Sequence, residues 1–159
     1  SYKDCFYLSS PAKEVQNYFV CVGRVVNFVR EVWLIIKACN ETKTNLLIIG
    51  SGPDEIQLKA LAWNTIIFLW WLPQEESLKI IRNAKWLINL TKESFWMWTA
   101  EALLLWVPVI WFAQWWSEEL VDENSWILID KKSISTLKDA IQTFENKEWN
   151  RRQISDSIR

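Results

Sequence analysis

Two glutamates, Glu93 and Glu101, stand eight positions apart in the stretch KESFWMWTAEA, residues 92–102, with Phe95, Trp96, Met97 and Trp98 between them. Charges on an exposed helix face are the ordinary explanation of such a pair. For Glu101 that explanation has trouble, because Ala100, Ala102, Leu103 and Leu104 around it are apolar. A carboxylate at the start of a buried helix needs a partner. An ionised carboxylate only accepts hydrogen bonds, so the vicinal hydroxyls of a ribose would serve. Two other places carry chemistry. Gly23-Arg24, with Arg30 shortly after, closes an apolar run; a guanidinium facing a helix N-terminus suits a phosphate, although a surface arginine is nearly as good a reading of Arg24 alone. Gly50-Ser51-Gly52-Pro53-Asp54 is neither GxGxxG nor a phosphate loop with its lysine, and indicates only a tight turn into a helix.

The elements that must position these residues follow from the apolar pattern. YFVCVG (18–23) and NLLIIG (45–50) are solid apolar runs closed by glycine, as in strands buried on both faces. Further strands are expected at 65–69, 86–90, 107–112 and 126–129. Between them, helical spacing or start signals predict helices over 28–40, from Pro53 to 62, from Pro73 to 84, over 100–106, from Ser117, and from a Ser133 cap to 144. The charged stretch 147–159 reads as a tail. Strands alternating with helices predict an α/β fold: one domain, 1–159, with a core over 17–146 and a doubly wound, mostly parallel six-stranded sheet. Ligands in such folds sit beyond the carboxyl ends of the strands. The loops after Gly23, Gly50, Leu69, Leu90 and Phe112 are therefore the ones to inspect.

Composition narrows the function. A net charge of −1 argues against broad electrostatic binding of nucleic acid. There is no histidine, and Cys5, Cys21 and Cys39 form no CxxC pair. Zinc sites and Ser-His or Cys-His nucleophiles are thereby excluded, and the thiols read as buried and reduced. No signal-peptide pattern is visible, and the longest apolar run, 102–113, is broken by Pro108 and too short for a bilayer. A soluble protein is expected. One feature belongs to no class: thirteen tryptophans stand against three glycines, whereas glycine is usually about 7 per cent of residues.

The motifs together resemble the C-terminal, donor-binding domain of the large retaining GT-B glycosyltransferase family that includes sucrose synthase and the bacterial mannosyl- and glucosyltransferases, a family 4-like pattern. The resemblance covers nearly the whole chain. It rests on VGR at Val22-Gly23-Arg24, IGSGP at 49–53 and E-x7-E at Glu93 and Glu101. LLLWVPVI (103–110) and SEELVDENSWILID (117–130) complete it, in order and at matching spacing. The resemblance implies the strand order 3-2-1-4-5-6 and transfer of a sugar from a nucleotide diphosphate sugar, such as UDP-glucose or GDP-mannose, as donor substrate. It implies that Glu101 binds the ribose and Glu93 lies at the donor sugar. Gly23-Arg24 would meet the diphosphate, and the amides of Trp96, Met97, Trp98 and Thr99 the phosphates and sugar. The family's lysine position falls on Val29, or on Arg30 if the loop is one residue longer. No cofactor and no metal are implied. The acceptor would be held by an N-terminal domain that is absent here, so the isolated domain is expected to be inactive. A cytoplasmic location is implied, with a peripheral membrane acceptor at the inner face left open.

The chain departs from the family at tryptophan. Trp63, Trp70, Trp86, Trp96, Trp98, Trp106, Trp111, Trp115, Trp116 and Trp126 stand where the family has, or often has, glycine or another small residue. Glycine serves where φ is positive or a ligand comes close, and an indole suits neither. Aromatic platforms for sugar stacking would account for one or two of these residues, not ten. A second hypothesis follows: a non-catalytic α/β scaffold or interaction domain whose donor site the tryptophans block. Donor titration separates the two. A third, a phosphate-sugar epimerase of similar architecture, is weaker because such enzymes use histidine.

Overall fold

The computed structural model describes residues 16–22, 32–69, 71–89, 102, 105–112, 126–129 and 133–146. Six strands form one sheet: β1 Phe19–Val22, β2 Leu46–Ile49, β3 Ile66–Phe68, β4 Trp86–Asn89, β5 Val109–Phe112 and β6 Trp126–Ile129. Their order is β3-β2-β1-β4-β5-β6, and every pairing is parallel. Phe19 faces Leu46 on one side and Trp86 on the other, so β1 is central. The helices are α1 Val32–Thr42, α2 Glu55–Leu61, α3 Gln74–Asn83 and α4 Ile134–Asn146.

The solid apolar strands are explained by two cores, one on each face. Successive strand side chains point to opposite faces. Phe19, Cys21, Leu46, Ile48, Ile88 and Ile110 bury one face under α1, α2 and α4, through Ile35, Leu58 and Phe144 among others. Val20, Ile49, Leu87 and Val109 bury the other under Leu78 and Ile81 of α3 and under Ala102 and Leu105. Each Val, Leu, Ile or Phe side chain among them stabilises by roughly 1.5–3 kcal/mol when fully buried. One buried polar residue bridges two elements. Asn40, on α1, donates from Nδ2 to the Leu61 carbonyl at 2.8 Å and accepts the Trp63 N–H at 3.0 Å, which ties the end of α2 to α1.

Helix ends follow local chemistry. Ser133 caps α4, its Oγ accepting the Thr136 N–H at 3.1 Å, as expected from sequence. Pro73 precedes α3, with Glu75 and Glu76 in its first turn, where the helix dipole favours acids. Three expectations shift. Pro53 lies ahead of α2 rather than in its first turn, since Asp54 is the N-cap and Glu55 the first helical residue. β5 begins at Val109, not at residue 107: Pro108 has no N–H to give a ladder, and only its carbonyl is used, accepting the Leu87 N–H at 3.0 Å. α1 runs past the expected residue 40 to Thr42. The expected starts of α1 at 28 and of the 100–106 helix, the helix from Ser117 and the tail 147–159 lie outside the described residues.

Cys21 and Cys39 are buried thiols. Burial pushes the Cys39 thiol far above its usual range, with Cys21 and Glu145 adding to the effect. Among the described residues, no helix is long and apolar enough to cross a membrane.

Candidate functional site

In this strand order the chain winds outward from β1 to β2 and β3, then crosses back to β4 beside β1. The point where the order reverses therefore lies between the carboxyl ends of β1 and β4, which is where doubly wound sheets carry their ligands. β1 ends at Val22 and β4 at Asn89. The chain continues from these ends into 23–31 and 90–101, the two stretches that carry the sequence-derived site. Gly23, Arg24, Arg30, Glu93, Trp96, Met97, Trp98, Thr99 and Glu101 all lie outside the described residues, as do Trp115 and Trp116.

The described rim is built from backbone. Gly50 closes β2 with φ of 131°, a region closed to residues with a Cβ. It is the position at which the turn into α2 needs its glycine. The half-buried Asn89 ends β4 at the same edge. Sequence reasoning did not single it out; the available signal was a polar residue closing the apolar run WLIN.

The return from this edge to β5 is informative. Ala102, next in the chain to Glu101, is completely buried in the α3-side core. Its carbonyl accepts the Leu105 N–H at 3.1 Å and the Val107 N–H at 2.8 Å. The second of these is the long six-to-one bond of a Schellman cap, which requires the intervening C′ residue to be left-handed. That residue is Trp106, with φ of 62°, and Pro108 follows two positions later, as is common after such a cap. Glycine is usual at C′. The departure expected at Trp106 is therefore real in the backbone. A non-glycine residue there costs about 1–2 kcal/mol, and this one is only 5% exposed. Trp86 shows a different strain: its ring lies 3.6 Å, centroid to centroid, from that of Phe144 at 80°. Edge-on rings rest at about 4.5–7 Å, so the indole is overpacked between β4 and α4. Trp63 holds its place by its N–H to Asn40 while remaining 57% exposed. Among the described residues no group of histidine, cysteine, aspartate or glutamate could hold a metal ion.

With this geometry in hand, a family model identifies the class. Residues 8–159 match the model described as glycosyl transferases group 1, and the chain belongs to that family. No curated protein matches it closely enough to count. Among solved structures, the chain is similar to Staphylococcus aureus TarM, in a complex with fondaparinux, alpha-GlcNAc-glycerol and UDP: TM-score 0.71, 16% identity, 93% of this chain and 32% of TarM. It is similar also to the C-terminal domain of a group 1 family glycosyl transferase, LpcC, from Francisella tularensis: TM-score 0.71, 18% identity, 98% of this chain and 90% of that one. The pneumococcal O-GlcNAc transferase GtfA, in complex with UDP and GlcNAc, aligns with TM-score 0.70 and 17% identity, over 91% of this chain and 32% of its own. The chain thus spans about a third of TarM and of GtfA and nearly all of the LpcC domain. At these identities the likeness is one of fold.

Proposed function

We propose that this chain is the donor-binding half of a retaining glycosyltransferase, taking a UDP-, GDP- or similar nucleotide sugar. The observation that carries the reading is the strand order, which sets β1 and β4 side by side at the switch point. Arg24 comes two residues after the end of β1, and Glu101 immediately before the buried Ala102. In this reading the Glu101 carboxylate accepts the ribose hydroxyls, and Glu93 lies at the sugar. Arg24, with Arg30, stabilises the charge that develops on the leaving diphosphate, and the amides of residues 96–99 assist. The donor is a substrate, and the reading needs no cofactor. Transfer needs donor and acceptor held together, so an acceptor-binding N-terminal domain is the implied partner and the chain alone transfers no sugar. A cytoplasmic site, with an acceptor at a membrane's inner face as one case, fits a nucleotide-sugar donor. Support comes from the family match and from UDP in the complexes of TarM and GtfA.

A second reading, a scaffold with a blocked donor site, is favoured by one kind of observation: tryptophan at positions built for small residues, as at Trp106 and Trp86. Calorimetric titration of UDP- and GDP-sugars separates the two. The donor reading expects saturable binding that Glu101→Ala weakens by about 1–3 kcal/mol, the range for a charged hydrogen-bond partner. Absence of binding both in this chain and in a chain with glycine at 96, 98, 115 and 116 would leave the scaffold reading.

A further inference from the structure

We infer that, in the cell that makes this protein, the codons at positions 63, 86 and 106, and at most of the thirteen tryptophan positions, are read as glycine. Three observations converge on this. At 106 the backbone is left-handed, with φ of 62°, inside a cap closed by the 2.8 Å bond from the Val107 N–H to the Ala102 carbonyl. That is the place where helices use glycine, and an indole brings only a clash between Cβ and backbone. At 86 the ring stands 3.6 Å from the Phe144 ring, inside the distance at which aromatic rings rest, so the space between β4 and α4 was not shaped for it. At 63 the residue directly after the C-cap of α2 is pinned by its backbone to Asn40 while its indole lies 57% exposed. The backbone has the role there, its φ is not positive, and a residue with no side chain would make the same bond.

Composition makes the same statement independently. Thirteen tryptophans and three glycines in 159 residues are inverted from ordinary usage. Exchanging ten of them leaves thirteen glycines and three tryptophans, about 8 per cent glycine, where about 7 is usual. A reassigned stop codon produces such an exchange in one step. The codon UGA differs by its third base from UGG, which means tryptophan, and by its first from GGA, which means glycine. A glycine tRNA with one changed anticodon base reads UGA. A gene written in that code becomes tryptophan-rich and glycine-poor wherever UGA is taken for tryptophan, while glycines on GGN codons stay. Gly50, with φ of 131°, is then one of the glycines that never depended on UGA. Point substitution selected for function would not place indoles in a left-handed cap, an overfilled core and an exposed helix end of one domain.

The inference does not depend on donor binding, and its test involves no ligand. Protein isolated from the source cells is digested and its peptides sequenced by mass spectrometry, and the gene is read at the same positions. The expected result is glycine at 63, 86 and 106 and the codon UGA at all three. Tryptophan in the peptide at 86 or 106, or UGG in the gene at either, overturns it. If glycine is found and donor still fails to bind the native chain, the donor reading fails and this one stands.

Discussion

Lys43 and Trp106 occupy the same place in the same cap on opposite faces of the sheet. After α1, the Thr44 N–H reaches the Cys39 carbonyl at 2.9 Å and the Lys43 N–H the Asn40 carbonyl at 3.1 Å, with Lys43 at φ of 53°. Before β5, the Val107 N–H reaches the Ala102 carbonyl across Trp106 at φ of 62°. Both C′ residues lack glycine's freedom and carry the same backbone strain. They differ in where the side chain goes: Lys43 is exposed to water, whereas Trp106 is buried. A flexible, solvated chain tolerates the left-handed cap at the cost of strain alone. A buried indole must also find room inside the protein, which an exposed lysine does not need. The comparison teaches that the glycine deficit is not uniform in effect; it matters where backbone demand and packing demand coincide.

Substitutions separate backbone demand from packing demand. The largest expected effect is at Gly50, where the backbone demand is strongest. Gly50→Val should lose about 3 kcal/mol in denaturant unfolding, the upper range for a non-glycine in a glycine-only region; a loss below about 0.5 would show that the turn into α2 relaxes. Next is Trp106→Gly. A well-packed buried tryptophan would lose about 3–5 kcal/mol on truncation, whereas relief of a misplaced one returns about 1–2. The account expects no net loss and up to that gain, read as a midpoint shift with unchanged slope.

A third effect comes from Cys39, whose carbonyl closes the Lys43 cap. Its folded thiol is held protonated by burial, with its pKa raised above the unfolded value of about 8.5. The stabilisation is therefore complete below about pH 8.5 and falls as pH rises beyond it, by about 1.4 kcal/mol per unit. Cys39→Val should flatten that decline when unfolding is compared at pH 8 and 9.5, and an unchanged slope would contradict it. Smallest is Lys43→Gly, expected to stabilise by up to about 1 kcal/mol, because relief of the cap is offset by glycine's freedom in the unfolded chain. A larger gain there than at Trp106 would reverse the comparison.

Much of this fold could be read from particular residues. FVCV, LLII and WLIN are apolar on both faces because both faces are covered, and Ser133 and Pro73 announce their helices. The strand order was not in the pattern; it came with the family resemblance. Boundaries moved where a proline was read by its helix preference alone, at Pro53, or counted into a ladder it cannot join, at Pro108. The left-handed turn at Lys43 left no trace, since lysine carries no preference for that region. Trp106 was legible as a residue out of place, but not that its backbone is left-handed. Of the proposed site, the sequence supplied residue types and spacing, and the sheet supplied the adjacency of β1 and β4.

In the proposed reading, the edge between β1 and β4 is a nucleotide-sugar site whose occupancy is hindered by indoles. The decisive measurement is calorimetric titration of UDP- and GDP-sugars into this chain and into a chain with glycine at Trp96, Trp98, Trp115 and Trp116. The account predicts that the glycine chain binds a donor at least tenfold more tightly, about 1.4 kcal/mol, and that Glu101→Ala in that background removes most of the gain. Tight binding by the parent with no improvement in the glycine chain, or a gain that survives Glu101→Ala intact, would contradict it.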